Sequence, residues 1–454
     1  MNRMKKTLSL LLAVLMALSL CGCAESLQQI EIPPFPEVTP TPGPIETNTE
    51  TPSPTEKVQP ATEVGADIPV ASPAPTEEPG NAILVNIGRT SINDYDPAEG
   101  QELILEFSYD MPRVIYENDL IVAQEVNEVL ATIEETFYTG QDYGLKQEFI
   151  GYHAMLESAE DNFTYARDYQ VEGMPLEFSD ALSAKVQRLD ENMLSILYSD
   201  SSYTGGAHGS YGQFTYSFDM TTGQILTLDR LSGDYDALAD FLVQTMLDLA
   251  EQDADGYYSD RIVEDFLPAG GREEAFRNLL REGSWYFDRE GLVFFSNLYE
   301  LGPYAAGIVE FHIPYAQLSG KIEPRFLFPA DRTGKGRITV DELSHQEGGE
   351  LSIVDKLVVS EDGQELCLVA EGEVYDVRIS SVYYVDQFYE DTQLWCASSL
   401  KNCALQLQAV VPEGLPNLLI TYYTADGERH GKLLSQSGAD GSFMLVDDNI
   451  QAVG

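Results

Sequence analysis

Residues 24–80 limit the fold of this chain more than any other stretch, because they lack the composition that a hydrophobic core requires. More than half of the 23 prolines in the 454-residue sequence lie there, interleaved with Thr, Glu and Ser. Proline has no backbone donor and the glutamates repel one another, so extended polyproline II segments are expected. We interpret residues 23–80 as a disordered tether, which would reach roughly 180 Å at about 3.1 Å per residue. The packed structure must then come from residues 81–454.

Residues 1–22 have the three parts of an export signal. Arg3, Lys5 and Lys6 form a basic start, an apolar run follows, and the segment ends in Leu20-Cys-Gly-Cys23. This ending resembles a bacterial lipobox, with Cys23 as the lipidated first residue of the mature protein. Two or more acyl chains on one residue hold a protein stably on a membrane. The resemblance predicts an extracytoplasmic protein that is lipid-anchored to the bacterial cell membrane; the alternative is an uncleaved membrane helix, for which the apolar run is short.

The charge balance is strongly acidic. The sequence has 26 Lys+Arg against 75 Asp+Glu, a formal net charge of −49. Such a field disfavours nucleic acid and anionic lipid headgroups as partners, and it accelerates association with basic proteins. We therefore predict no nucleic-acid partner; the alternative reading of the charge is that it only keeps a surface protein soluble.

The periodicity of residues 81–330 predicts an α+β fold of strand hairpins and helices. Apolar residues at helical spacing predict a helix with Asn118 or Asp119 as N-cap and Gly140 as C-cap. A second, more polar helix is predicted over residues 145–162. A turn at Met220-Thr-Thr-Gly223 predicts a hairpin of two strands. Helices placed between hairpins are typical of the α+β class.

Helical periods end near residue 330, and strands separated by turn residues follow. This pattern predicts a small all-β C-terminal domain, a β-sandwich or a barrel, over residues 331–454. The two preceding α+β modules are assigned to residues 81–200 and 201–330.

Two turn-forming segments supply the candidate binding residues. Tyr203-Thr-Gly-Gly-Ala-His-Gly209 has three glycines in seven residues, which predicts a tight loop that carries His208 on the surface. In the second segment a Gly-Pro pair precedes Tyr304 and fixes a turn that presents its ring. The candidate ligand-binding residues are Tyr203, Gly205, Gly206, His208, Gly209, Pro303 and Tyr304.

These segments also carry a resemblance to a known family. The resemblance rests on six short segments that recur in order: Tyr203–Gly209, Phe218–Gly223, Ile225–Asp229, Phe294–Tyr299, Pro303–Gly307 and Ile313–Tyr315. They resemble a domain of unknown function found in RsiV-type anti-sigma factors, which bind lysozyme, and in PdaC-type peptidoglycan deacetylases. The similarity covers residues from about 200 to 320, and residues from about 95 to 200 resemble the domain that precedes it in those proteins.

The resemblance implies a cell-surface binding module for lysozyme-like cationic proteins or for peptidoglycan fragments. The sequence has no recognisable anti-sigma segment or deacetylase domain, so signalling and deacetylation do not carry over. An alternative is a cell-wall-acting enzyme or accessory domain with a site around His208, which would need to converge with Glu310 or His312. A third hypothesis is a structural module of an envelope complex.

Residues 331–342 match an EF-hand loop in length, in Gly336 and in Glu342. Lys335 occupies a ligand position, however, and would repel the ion, so a polar turn is expected there. The five histidines of the sequence are scattered without a known ligand spacing, so no cofactor, metal site or catalytic residue is predicted.

Of the three cysteines beyond Cys23, Cys396 and Cys403 are near enough in sequence for a possible disulfide that would close a short loop. The alternative is that all three are small buried apolar residues.

Overall fold

A computed structural model gives the fold. It describes residues 82–96, 102–145, 147–169, 177–253, 256–329, 335–342, 352–385, 388–411, 417–436 and 443–447. The predicted leader, the lipidation site Cys23 and the tether lie outside these residues.

The described chain has runs of mostly antiparallel strands with helices between the runs, and the predicted α+β class is confirmed. The strands are β1 Leu84–Tyr95, β2 Leu103–Ile115, β3 Phe178–Leu189, β4 Met193–Tyr203, β5 Ser210–Asp219, β6 Trp285–Phe287, β7 Gly291–Ser296, β8 Val309–Pro314, β9 Arg337–Glu342, β10 Ser352–Val358, β11 Gln364–Val385, β12 Phe388–Ala409, β13 Leu418–Tyr423, β14 Arg429–Gln436 and β15 Phe443–Asp447. The helices are α1 Leu120–Thr139, α2 Tyr152–Tyr169, α3 Leu228–Leu231, α4 Tyr235–Gln252, α5 Gly271–Asn278 and α6 Tyr315–Leu318, with single 3₁₀ turns at Glu264–Phe266, Tyr304–Ala306 and Pro324–Phe326.

One large sheet joins the beginning and the end of the folded chain. Its strand order is β15-β14-β13-β11-β12-β1-β2-β3-β4-β5, with β10 paired to β12 and β9 to β11. β1 is antiparallel to β12 through Leu84–Asn86 and to β2 along its whole length. The backbone N–H of Ile83 also donates to the Ser398 hydroxyl. The described C-terminal region consists of strands, as predicted, and these strands continue the sheet of the first module.

A second sheet of three antiparallel strands, β6-β7-β8, lies against the first. The Thr215 hydroxyl of β5 bonds to the Trp285 carbonyl of β6, and the Ser195 hydroxyl of β4 accepts from Phe287 N. Together with α4 and α5 this sheet encloses an aromatic-rich core whose largest members include Phe276, Phe294 and Phe311. Burial of such side chains supplies most of the stabilisation of a domain of this size.

Apolar side chains form three main cores that follow the chain order. The first lies between α1, α2 and strands β1–β5, the second around α4 and β6–β8, and the third between the C-terminal strands. The three cores correspond approximately to the three predicted modules. One difference is β5, which packs in the first core although the second module was predicted to begin at residue 201. The exact domain bounds stay a prediction.

The buried side chain of Arg188 connects the first two cores. From β3 its guanidinium donates to Asp190 at 2.6 Å, to the Phe326 carbonyl at 2.6 Å and to the Tyr315 hydroxyl at 2.9 Å. A buried charge is tolerated only when paired and hydrogen-bonded in this way. Arg188 therefore fixes the 3₁₀ turn at residues 324–326 to strand β3.

The predicted helix between Asp119 and Gly140 is confirmed. The Asp119 carboxylate accepts from Val122 N, and Gly140 adopts φ +70° as its C-cap. The second predicted helix begins later than expected, at residue 152 and not at 145. Gly151 adopts φ +83°, a left-handed conformation that cannot continue a helix, and it packs backbone to backbone against Gly140.

Two further predictions need correction. The turn at Met220–Gly223 forms, but the strand expected after it is reduced to one bridge between Phe218 and Ile225, because Leu228 and Leu231 fold into α3 and enter the second core. The possible disulfide does not form: Cys396 and Cys403 are free and buried. Both lie on β12, where seven residues of extended strand hold them roughly 23 Å apart, and a disulfide needs Cα atoms within about 7 Å.

Candidate functional site

The glycine loop lies between β4 and β5, at the edge of the large sheet. Gly205 adopts φ +84°, and a Cβ on Gly209 would lie 2.9 Å from the Ser202 carbonyl oxygen. Both positions therefore require glycine. The Tyr203 hydroxyl donates to the Gly206 carbonyl at 3.1 Å and closes the loop, so that His208 is held on the exposed side.

The segment before β8 meets this loop. Tyr304 begins a 3₁₀ turn directly after Pro303, and its hydroxyl donates to the Gly209 carbonyl at 3.1 Å. The Tyr304 ring stacks on the His208 imidazole, with ring centroids 4.0 Å apart and an interplanar angle of 30°. The structure thus brings together the two segments that the sequence singled out, which are separated by 95 residues.

Two further tyrosines complete the arrangement. Tyr211 lies edge-on to Tyr304 with centroids 5.8 Å apart, and Tyr299 lies 6.2 Å away on another side. Tyr299 is 54% exposed and Tyr211 37% exposed. We call the group formed by the exposed His208, Tyr211 and Tyr299 and the half-buried Tyr304 the aromatic face. Its rings offer flat apolar surface with polar tips, a chemistry that suits both protein partners and sugars.

The scaffold below the aromatic face includes residues that sequence reasoning missed. The Asn297 amide accepts from Gln213 N at 2.7 Å and donates to Gln213 O at 2.9 Å, which fixes the Tyr299 segment to β5. Glu300 accepts from Asn297 N and forms an ion pair with Arg281. Tyr299 itself adopts φ +65°, a strained conformation for a tyrosine. The local signal in the sequence was limited to the position of Asn297 shortly after the apolar run of residues 292–295.

The histidines do not gather into one group. Nδ1 of His208 lies 2.8 Å from the Gly209 carbonyl oxygen; since that oxygen can only accept, Nδ1 carries a proton. His312 instead contacts Glu310 at 3.4 Å, and Glu310 also accepts from the Tyr286 hydroxyl at 3.2 Å. The hydrogen bond to Glu310 raises the pKa of His312. Among the described residues, His208 thus has different neighbours from Glu310 and His312.

A pair of carboxyl groups lies on the core side of the strands that lead into the glycine loop. Asp180 on β3 is 3% exposed, and Asp200 on β4 is opposite Leu182, two residues further along β3. Burial, with the nearby Asp200 charge as a second cause, raises the pKa of Asp180 to about 7. Burial raises the pKa of Asp200 to about 6. This pair exchanges protons near neutral pH.

No group of three or more His, Cys, Asp or Glu side chains within the described ranges is arranged to hold a metal ion. None of the described helices is both long and apolar enough to span a membrane.

Two family models match this chain. Residues 99–211 match the model described as deacetylase PdaC, and residues 237–316 match DUF3298, a family of proteins of unknown function. The resemblance predicted from the sequence is confirmed, with one change of bounds: the glycine loop lies in the PdaC segment, whereas Tyr299 and Tyr304 lie in the DUF3298 segment. The aromatic face is thus formed by both matched segments together.

Two solved structures of DUF3298 family proteins are similar to this chain. The protein from Bacteroides fragilis is 19% identical with a TM-score of 0.38, and the similarity covers 53% of this chain and 94% of that one. The protein from Pseudomonas aeruginosa is 19% identical with a TM-score of 0.34, covering 54% of this chain and 97% of that one. No curated protein matches the chain. The family matches indicate a bacterial domain of extracellular type.

Proposed function

We propose that this protein is a cell-surface lipoprotein that binds lysozyme-like cationic proteins through the aromatic face. The observation that carries the proposal is the stacking of Tyr304 on His208, which combines two distant segments into one group of rings. Cys23 would anchor the chain in the membrane, and residues 24–80 would hold the binding module away from it.

The charge of the chain supports a basic partner. With 75 acidic against 26 basic residues, the protein attracts cationic proteins over distances of about one Debye length, roughly 8–10 Å at physiological salt. Lysozyme is strongly basic, and the families that the sequence resembles include a lysozyme-binding module. Steering of this kind mainly raises the association rate, and it weakens as salt is added.

The long-range electrostatic attraction does not define a contact site, and the aromatic face is the surface that we propose as this site. Tyrosine is enriched among the residues that carry most of the energy of protein interfaces, because a large rigid ring is buried with little loss of conformational entropy. The Asn297 bonds to Gln213 and the Tyr304 bond to Gly209 hold the rings before any partner arrives. Preorganisation lowers the entropic cost of binding.

Peptidoglycan fragments are a second candidate ligand. The exposed ring of Tyr299 and the stacked pair of His208 and Tyr304 present flat surfaces of the kind on which sugar rings pack. Such binding would not depend on the net charge of the protein, and its response to salt separates it from the first candidate.

The test is calorimetry of the full chain with lysozyme and, separately, with soluble peptidoglycan fragments, each at about 50 and about 300 mM salt. We expect lysozyme to bind and its affinity to fall at the higher salt. Tyr304→Ala should weaken lysozyme binding by about 2 kcal/mol, roughly thirtyfold, as expected for a central tyrosine.

A matched control is Tyr169→Ala, which removes a tyrosine that is 70% exposed on α2, outside the aromatic face. It should leave the affinity unchanged. Tyr304→Phe keeps the ring and removes only the bond to Gly209, so it should retain most of the affinity. Absence of heat with both ligands would refute the proposal, and equal affinity of Tyr304→Ala and the wild type would place the site elsewhere.

A further inference from the structure

A cleft of about 240 Å³ lies away from the aromatic face, where the C-terminal strands meet β3 and the β6–β7 turn. Four cationic side chains line it: Lys185, Arg289, Arg378 and Arg429. In a chain with only 26 Lys+Arg and a net charge of −49, such a concentration of cations is unusual. The cleft draws on three separate parts of the chain, so the positions of its walls depend on the complete fold.

Two aromatic rings hold the guanidinium of Arg289. Its central carbon lies 3.5 Å from the centroid of the Tyr423 ring and 4.8 Å from that of Phe328. Stacking on aromatic faces fixes the guanidinium plane, and a guanidinium donates within its plane to carboxylate or phosphate oxygens. Arg289 is thus oriented by the C-terminal strand β13, although it belongs to the β6–β7 turn.

Arg378 and Arg429 have different roles. The half-buried Arg378 donates to the Val186 and Gln187 carbonyls, each at 2.8 Å, and to Asp376 at 2.9 Å, so it fastens β11 to β3. Arg429 is exposed at the start of β14 and forms no ion pair within the described residues. A ligand at the rim of the cleft can therefore bind the Arg429 guanidinium without breaking an ion pair of the described structure.

A buried donor in the wall points to a ligand independently of the charges. Gln393 lines the cleft and is 3% exposed. Its Oε1 accepts from Val186 N at 2.7 Å, which settles the orientation of the amide, because a backbone N–H can only donate. Its Nε2 is buried and has no acceptor among the described residues. A buried donor without a partner costs about 1–3 kcal/mol, and an anion in the cleft would satisfy it.

The balance of charge indicates which anion fits. Against the four cations the cleft presents three carboxylates, Asp288, Glu290 and Asp376, so it has one positive charge in excess. Asp376 is paired with Arg378, and one oxygen of Asp288 accepts from Glu290 N and Gly291 N within the turn. A singly charged anion neutralises this excess, whereas a doubly charged phosphate would leave the cleft with a net negative charge.

We propose that this cleft binds a small monocarboxylate, whose oxygens accept from Gln393, Arg289 and Arg429 while its carbon skeleton packs on Leu419. The site is separate from the aromatic face and goes beyond the proposed function, because it assigns a ligand class to the C-terminal strands.

The test is calorimetry of the full chain at low salt with three probes: N-acetylalanine, its uncharged amide and inorganic phosphate. N-acetylalanine should bind with a dissociation constant on the order of 1 mM, as suits a ligand of this size. Its amide should not bind detectably, since it lacks the charge. Arg429→Gln should weaken N-acetylalanine binding about tenfold, the usual effect of one charge-assisted hydrogen bond.

Arg230→Gln is the matched control, because Arg230 is an exposed arginine on α3 outside the cleft. It should bind N-acetylalanine like the wild type, and so should Tyr304→Ala, which separates this result from the test of the aromatic face. Equal binding of the acid and its amide, or an unchanged affinity in Arg429→Gln, would overturn the proposal. Tighter binding of phosphate than of N-acetylalanine would overturn the assignment to monocarboxylates.

Discussion

Replacing Asp180 by asparagine should change how stability depends on pH. Burial raises the pKa of Asp180 to about 7, against about 3.9 in an unfolded chain. Between these values the folded state keeps the proton and the unfolded state loses it. The stabilising contribution of this carboxyl is therefore complete below about pH 4 and is lost as the pH rises through 7. Three pKa units at about 1.4 kcal/mol each amount to about 4 kcal/mol.

Asparagine cannot ionise, so the variant escapes this loss. Its extra N–H donors impose a cost of about 1–3 kcal/mol, but that cost is the same at every pH. The informative quantity is the difference in unfolding free energy between Asp180→Asn and the wild type. It should move by about 4 kcal/mol in favour of the variant between pH 4 and pH 8.

Urea unfolding at intervals of one pH unit measures this difference. Asp161→Asn, which neutralises an exposed carboxylate on α2, provides the baseline for charge removal at the surface. Asp200→Asn should show the same direction with a smaller change, because the pKa of Asp200 is raised only to about 6. Parallel curves for Asp180→Asn and the wild type would refute the reasoning.

Three further outcomes are expected. Arg188→Ala leaves the Asp190 carboxylate buried without its cation and should lower the unfolding free energy by about 3–5 kcal/mol in urea; a loss below about 1 kcal/mol would contradict the role of this ion pair. Gly223→Ala should lower the melting temperature measured by calorimetry, because φ is +74° and the new Cβ would lie 2.7 Å from the Glu125 Cβ; an unchanged value would show that the turn can relax. The Cys396 thiol, whose pKa burial raises to about 12, should resist iodoacetamide at pH 8 until the protein is unfolded; rapid labelling of the folded protein would contradict its burial.

The sequence correctly predicted the elements whose two ends are determined by capping residues at those ends. The α1 helix is one example, since an Asp at the N-cap and a Gly at the C-cap define it without tertiary contacts. The start of α2 was missed because it depends on the close approach of Gly151 to Gly140, two residues whose contact only the fold creates. The same applies to α3, whose leucines are drawn into a core that residues 238–326 supply.

The sequence predicted the two segments that form the aromatic face, but it did not predict the residues that hold these segments in place. Glycine spacing and the Gly-Pro pair indicated both segments of the aromatic face, because turn residues act locally. The roles of Asn297 and Glu300 were not predicted. Asn297 holds the segment only because the fold places its amide beside Gln213 of β5, and Glu300 in turn accepts from Asn297 N. The charged cleft was equally hidden, because Arg289 and Tyr423 are more than 130 residues apart in the sequence and meet only where the β6–β7 turn packs against strand β13 of the large sheet.

The position of β1 determines how the fold bears mechanical load. This strand receives the chain at residue 82 and is hydrogen-bonded on one side to β12 and on the other to β2. A force applied at residue 82 along the axis of β1 loads the bonds to β12 and the bonds to β2 in shear. The first and the last modules share such a load, because β1 is paired with a strand of each.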